Sequence, residues 1–164
     1  MEKNKTTVIA EPCKQELFII REFDAPRELV FQANTDPELF VQWMGPKQLT
    51  MDLHFFNAVD GGGYHYTSKD LAGNEYAFRG VYHEVVAPER MIGTFEFLGL
   101  PEKGHVEFDT SRFEALPGDR TRLTIHAIYQ SVQDRDMMIK SGMEGGITEG
   151  FIRLDALLAG MAVQ

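Results

Sequence analysis

The 164-residue sequence predicts an α+β fold in which an antiparallel sheet is combined with a short helical pair and a long C-terminal helix. Three observations carry this expectation. From Lys47 to Gln130 the chain reads as strands broken at hairpin intervals by turn signals: D-G-G-G at 60 to 63, A-G-N at 72 to 74, A-P-E at 87 to 89, L-P-E-K-G at 100 to 104 and P-G-D at 117 to 119. Gaps of that size imply an antiparallel meander. Ahead of it, two proline-led helical segments follow one β-rich run. Behind it, a single apolar stripe at helical spacing runs toward the C-terminus.

In chain order, residues 1–14 read as a flexible arm, and residues 15–164 as one domain. The first strand is Q-E-L-F-I-I-R-E-F, Gln15 to Phe23. It ends at D-A-P-R-E, where Asp24 is placed to cap a helix with Pro26 and Glu28 in its first turn. Asp36-Pro37 restarts the helix, because proline is favoured in a first turn and the residue before it avoids helical geometry. E-L-F-V-Q-W-M then stops at Gly45-Pro46. In the strands, Tyr64 and Tyr66 share a face, Tyr76, Phe78, Gly80, Tyr82 and Glu84 share another, and Leu123, Ile125, Ala127 and Tyr129 alternate against Arg122, Thr124 and His126. These are the expected inner faces. In V-E-F-D-T-S-R-F, 106 to 113, the apolar phase slips by one residue, as a bulge would cause.

Asp134-Arg135-Asp136 reads as a solvated loop leading into the terminal helix, and Ser141 as a cap. With successive residues about 100° apart, Met143, Ile147, Phe151, Leu154, Leu157, Leu158 and Met161 form one stripe. Gly146 and Gly150 fall at its edge or within it, and Gly145 on the polar side. Each glycine costs about 1 kcal/mol of helix propensity against alanine, so the stripe contains small residues that require an explanation from what lies beneath them.

Composition excludes several functions. A net charge of −9 without a basic stripe argues against nucleic acid or an anionic membrane as a partner. There is no apolar signal-peptide run and no segment of ~20 apolar residues, which leads to the expectation of a cytoplasmic protein. Cys13, the one cysteine, has no partner for a disulfide or a zinc site. The five histidines, His54, His65, His83, His105 and His126, lack paired metal-ligand spacing. No nucleophile elbow, Walker loop or dinucleotide fingerprint occurs. Hence no catalytic residue, metal or cofactor is assigned.

From about Gln15 to Ala159 the chain resembles the bacterial and archaeal relatives of the activator of the ninety-kilodalton heat-shock-protein ATPase. The resemblance rests on F-D-A-P-R-E-L-V-F, T-D-P-E-L-F-V-Q-W-M-G-P, G-N-E-Y-A-F-R-G-V-Y-H-E-V, P-E-R-M-I-G-T-F-E-F and S-G-M-E-G-G-I-T-E-G-F-I-R-L-D-A-L-L, five motifs in the family's order. It implies the helix-grip fold of the birch-pollen-allergen-like superfamily, a curved sheet of six or seven strands around the C-terminal helix. Two positions depart from the pattern. Asn57-Ala58-Val59 stands where many relatives carry Asp-x-Arg, and Trp43-Met44-Gly45-Pro46 where they carry Trp-Trp-Gly-Pro.

A helix held by a curved sheet leaves room for an elongated cavity, and the glycine face then has two readings. Either Gly146 and Gly150 open space opposite Tyr64, Tyr66, Phe78 and Tyr82, or they let the helix sit close to bulky neighbours. The first gives the expected function, binding of a small apolar or aromatic molecule. Its candidate site is Trp43, Tyr64, Tyr66, Phe78, Tyr82, Glu84, Met143, Gly146, Ile147, Gly150 and Phe151. Trp43 also reads as a core plug, and Glu84 as a strand-end carboxylate paired with an arginine such as Arg90. The alternatives are a chaperone-binding module, which the resemblance implies, and a cyclase or hydrolase of the same superfamily. A homodimer is compatible with the sequence.

Overall fold

The computed structural model describes residues 4–45 and 48–162. Its elements in chain order are β1 (Thr7–Ile9), β2 (Glu16–Phe23), α1 (Arg27–Thr35), α2 (Pro37–Trp43), β3 (Thr50–Asn57), β4 (Gly63–Lys69), β5 (Glu75–Val86), β6 (Arg90–Phe97), β7 (Val106–Leu116), β8 (Arg120–Ile128), α3 (Val132–Lys140) and α4 (Met143–Ala162). The eight strands form one antiparallel sheet in the order β1-β2-β8-β7-β6-β5-β4-β3. The meander from β3 to β8 is thus closed by the first long strand, with Phe23 opposite Thr121 and Glu16 opposite Ile128. Helices α1 and α2 and the 20-residue α4 pack against the concave side.

Alternation decides which side of each strand is buried. In β2, Leu17, Ile19, Arg21 and Phe23 are buried and their neighbours only partly so. Those residues join Val30, Leu123, Leu154 and Phe151 in one apolar cluster. Trp43 plugs it: 3% exposed, it donates its indole N–H to Ala33 O at 2.8 Å and stacks on Phe151 at 6.1 Å. Arg21 is buried as well, but its guanidinium forms a two-pronged pair with Asp155 at 3.0 and 2.7 Å. That pair pins α4 to β2 and gives the buried charge its counter-ion.

Four local expectations change. The arm before Gln15 contributes β1, whose Thr7 to Ile9 pair with Ile20 to Phe18, so the sheet has eight strands rather than six or seven. Asp24 does not cap α1. It accepts from Arg120 at 2.9 Å and from Asn4 at 2.8 Å, and Pro26 occupies the cap position without a side-chain bond. Asp134 to Asp136 lie inside α3, capped by Ser131, whose Oγ accepts from Asp134 N at 3.0 Å. Arg135 is 3% exposed because it donates to the backbone carbonyls of Glu11 and Glu16 and to Asp136. Ser141 ends α3 rather than starting α4: its hydroxyl donates back to Met138 O at 2.5 Å, and Gly142, at φ +85°, makes the turn. The helix restarts at Asp36-Pro37 as expected, and Asp36 adds a cap, its Oδ1 accepting from Glu38 N at 2.8 Å.

Candidate functional site

The concave face divides into an apolar end under α1, α2 and the C-terminal half of α4, and a polar aromatic end built by β3 to β7. In the latter, Tyr64, Tyr66, Phe78 and Tyr82 come together on one surface, as expected. Tyr64 lies 6.1 Å from Tyr66 and 5.5 Å from Tyr82 between ring centres, Tyr66 stacks on Phe78 at 5.2 Å, and Phe78 on Phe95 at 5.3 Å. Cross-strand pairing produces this contiguity, since Tyr66 faces Phe78 and Tyr64 faces Gly80 across the β4–β5 ladder.

Gly80 is needed there. A Cβ at that position would lie 2.1 Å from Thr94 O and 2.4 Å from the Tyr64 ring. The ring crosses Gly80 so that the Tyr64 hydroxyl donates to Thr94 O at 2.7 Å, while Val81 N donates to Thr94 Oγ1 at 3.0 Å. Side chains thereby satisfy backbone groups that the β5–β6 ladder leaves open. The Tyr64 hydroxyl is therefore committed to the sheet. Those of Tyr66 and Tyr82 have no hydrogen-bond partner among the described residues, and burial pushes both phenols well above their ordinary pKa, keeping them neutral donors.

Glu84 leaves this face. The β5–β6 register shifts between Tyr82 and Glu84, which transfers the inward phase from Tyr82 to Val85, opposite Met91. Glu84 instead pairs with Arg90, the alternative the sequence offered. Trp43 and Phe151 belong to the closed core, and Met143, Gly146 and Ile147 are half-buried on α4. Gly150 is buried, but a Cβ there would meet Trp43 O at 3.3 Å and Gly45 N at 3.7 Å. Its missing side chain admits the end of α2, so at this position close packing is the reading that holds. Gly145 faces open space.

The polar residues that matter most lie on β7, where the expected bulge is absent. Its pairing with β6 and β8 is continuous. Glu107, Asp109, Ser111 and the buried Phe113 consequently share the concave side, and Phe108, Thr110 and Arg112 the convex side. Glu107 sits opposite Phe95, and Asp109 opposite Gly93 and Ala127. The two carboxyls interact with one another, and burial raises both above the usual carboxylate range, Asp109 well above it with Glu107 adding to the effect. The proximity of Asp109 and Tyr129, without a hydrogen bond of good geometry from Tyr129, works in the opposite direction on Glu107. Such a pair favours a bound proton, because two adjacent enclosed carboxylates repel. It offers one O–H donor beside carboxylate acceptors, the equipment to bind a donor group or to move a proton.

Two buried polar atoms at this place lack a geometric hydrogen-bond partner: Asp109 Oδ1 and the hydroxyl of Tyr129, a residue only 4% exposed. Burial and the nearby Glu107 and Asp109 charges drive the Tyr129 pKa far up. Periodicity concealed β7 because its inward side carries E-x-D-x-S and its outward side V-x-F. The P-G-D turn held the missing signal. Pairing Leu116 with Arg120 and counting back places Phe113 opposite Leu123 and Asp109 opposite Ala127.

Elsewhere the titratable side chains make local pairs. His105 Nδ1 contacts Asp134 at 3.0 Å, His126 contacts Glu16 at 2.5 Å, and His54 bonds Thr67. Among the described residues no three His, Cys, Asp or Glu side chains converge as metal ligands, and no helix is long and apolar enough to cross a membrane. An open surface groove of ≈ 420 Å³ lies outside α4, between Arg21 and Thr148. It is separate from the aromatic face.

Residues 24–159 match the family described as activator of Hsp90 ATPase homolog 1-like protein. The chain belongs to this family. Solved structures share its fold. A protein from Arthrobacter aurescens, solved by solution NMR, aligns with a TM-score of 0.84 at 24% identity over 94% of this chain and 91% of its own. One from Rhodobacter sphaeroides aligns at 0.83 and 23% identity over 93% and 98%. One from Staphylococcus epidermidis aligns at 0.79 and 26% identity over 92% and 93%. Among curated proteins, none matches the sequence. The family and the helix-grip fold together suggest a small-molecule-binding domain.

Proposed function

We propose that this family member binds a small molecule with an apolar or aromatic body, seated on the concave aromatic face toward the N-terminal half of α4. One observation carries the reading: contiguous ring surface from Tyr66, Phe78, Tyr82 and Phe95 adjoins a few inward polar groups. Extended apolar area with sparse, convergent hydrogen-bonding groups is what small-ligand recognition requires. Tyr66 and Tyr82 supply the neutral donors and Glu107 and Asp109 the acceptors. Gly150 plays no part in shaping the space, since α2 fills its vacancy. Chaperone activation, which the family description names, draws no support from these features, because ring area facing inward is not a protein-docking surface. The family's Asp-x-Arg pair is also replaced by Asn57-Ala58-Val59.

The test is native mass spectrometry of protein purified from its own host, joined to NMR titration with naphthalen-1-ylmethanol. The expected results are a retained small mass, or saturable shifts centred on Tyr66, Phe78 and Tyr82. Shifts confined to the convex face, or none at millimolar probe with no retained mass, would overturn the reading.

A further inference from the structure

We infer that the polar end of this face is a cation subsite, in which Glu107 and Asp109 receive the ammonium group of a ligand whose apolar body lies on the neighbouring rings. The inference rests on the proposed binding face and names the class of molecule it takes, an aromatic or aliphatic amine.

The charge balance carries the argument. Glu107 and Asp109 lie two residues apart on the inward side of β7, and among the described residues neither forms a salt bridge. The two buried cations with inward positions are already engaged. Arg21 is held by Asp155. Arg135, which approaches Tyr129 from α3, is held by Asp136 and by the carbonyls of Glu11 and Glu16. Two enclosed carboxyls with no cationic partner among the described residues are the arrangement that buried polar groups normally avoid unless a partner arrives.

Independent of the charges, the site has polar capacity in reserve. The Tyr129 hydroxyl is enclosed and unpartnered at the edge of the pair, as is Asp109 Oδ1. An ammonium group has three donors and no acceptor, and so can serve several such oxygens together. The surrounding rings favour the same ligand. Phe95 is directly opposite Glu107, and Tyr82 and Asp109 both flank Gly93, whose missing side chain leaves ring and carboxylate without an intervening group. Aromatic faces attract a cation most strongly where water is excluded. At longer range, the chain's net charge of −9 favours the approach of cations over anions.

The experiment compares three probes of one shape by calorimetry or NMR titration at pH 7: naphthalen-1-ylmethanamine, naphthalen-1-ylmethanol and 1-naphthoate. The amine is expected to bind at least about tenfold more tightly than the alcohol, the size of one charge-assisted hydrogen bond, and the carboxylate most weakly. The Asp109→Asn/Glu107→Gln double variant, which keeps shape and removes both carboxyls, is expected to reduce that preference to about twofold or less while the alcohol still binds. Equal binding of amine and alcohol would overturn the cation subsite and leave the apolar face standing. Binding of none of the three would overturn both. A preference that survives in the double variant would place the cation elsewhere and sink the assignment, and the wild-type comparison of the three probes holds even if that variant fails to fold.

Discussion

The two ends of the concave face are built from the same strands and differ in what they do with polarity. At the closed end, Leu17, Phe23, Val30, Leu123 and Leu154 are at most 2% exposed, and Thr121 is tied to Ala25 O at 2.7 Å and Arg21 to Asp155, with the Arg21 Nε left over. At the other end, Tyr64, Phe78, Glu107 and Asp109 keep partial exposure, and two buried oxygens go unpartnered. The first arrangement maximises stability. The second gives up some of it for groups that only an incoming molecule can satisfy, so the contrast separates the part that holds the fold from the part suited to recognition.

The largest break in that comparison is expected at the closed end. Phe151→Ala removes a ring that is 3% exposed, stacked on Trp43 and edge-on to Phe23 at 5.4 Å, and should cost about 3–5 kcal/mol in denaturant unfolding. A loss below about 1 kcal/mol would show that this end is not the stabilising core.

Asp109→Asn should do the opposite at neutral pH, stabilising the protein, because the amide removes the cost of ionising a buried carboxyl. The sign follows from proton binding. A carboxyl raised by burial keeps its proton in the folded chain at pH values where the unfolded chain has released it. Stability therefore falls as pH rises from the unfolded carboxylate range, about 4, through the raised value. The variant's advantage should shrink toward zero as pH is lowered to about 4, as measured by unfolding at a series of pH values. An advantage that grows on acidification would refute the bound-proton description of β7.

The smallest effects come from the helix glycines and sharpen the comparison along α4. Gly145→Ala, in open space, should gain up to about 1 kcal/mol. Gly150→Ala should gain less or nothing, because its methyl group would stand 3.3 Å from the Trp43 carbonyl and the propensity gain is offset by that contact. Equal stabilisation by both, in thermal or urea unfolding, would mean that α2 yields and that Gly150 does not mark close packing.

The sequence by itself determined the order of elements from β2 to β8 and the terminal helix, the hairpin meander, the inward phase of Tyr64, Tyr66, Phe78 and Tyr82, and the restart of the helix at Asp36-Pro37, because turns, prolines and two-residue alternation are local properties of the chain. Tertiary structure decided the rest. A one-residue register shift after Tyr82 moved Glu84 off the aromatic face and into its pair with Arg90, although nothing in Y-H-E distinguishes a bulged strand from a regular one. In β7 the inward phase is polar, so apolar alternation pointed to the wrong side, and only pairing with β6 and β8 on both flanks held Glu107 and Asp109 inside. Around α4 the helical wheel placed Gly150 inward, but what it faces is the backbone at the end of α2. The side that a residue takes is set within a few neighbours, whereas the group it meets there comes from about a hundred residues away and is brought by burial of the whole core.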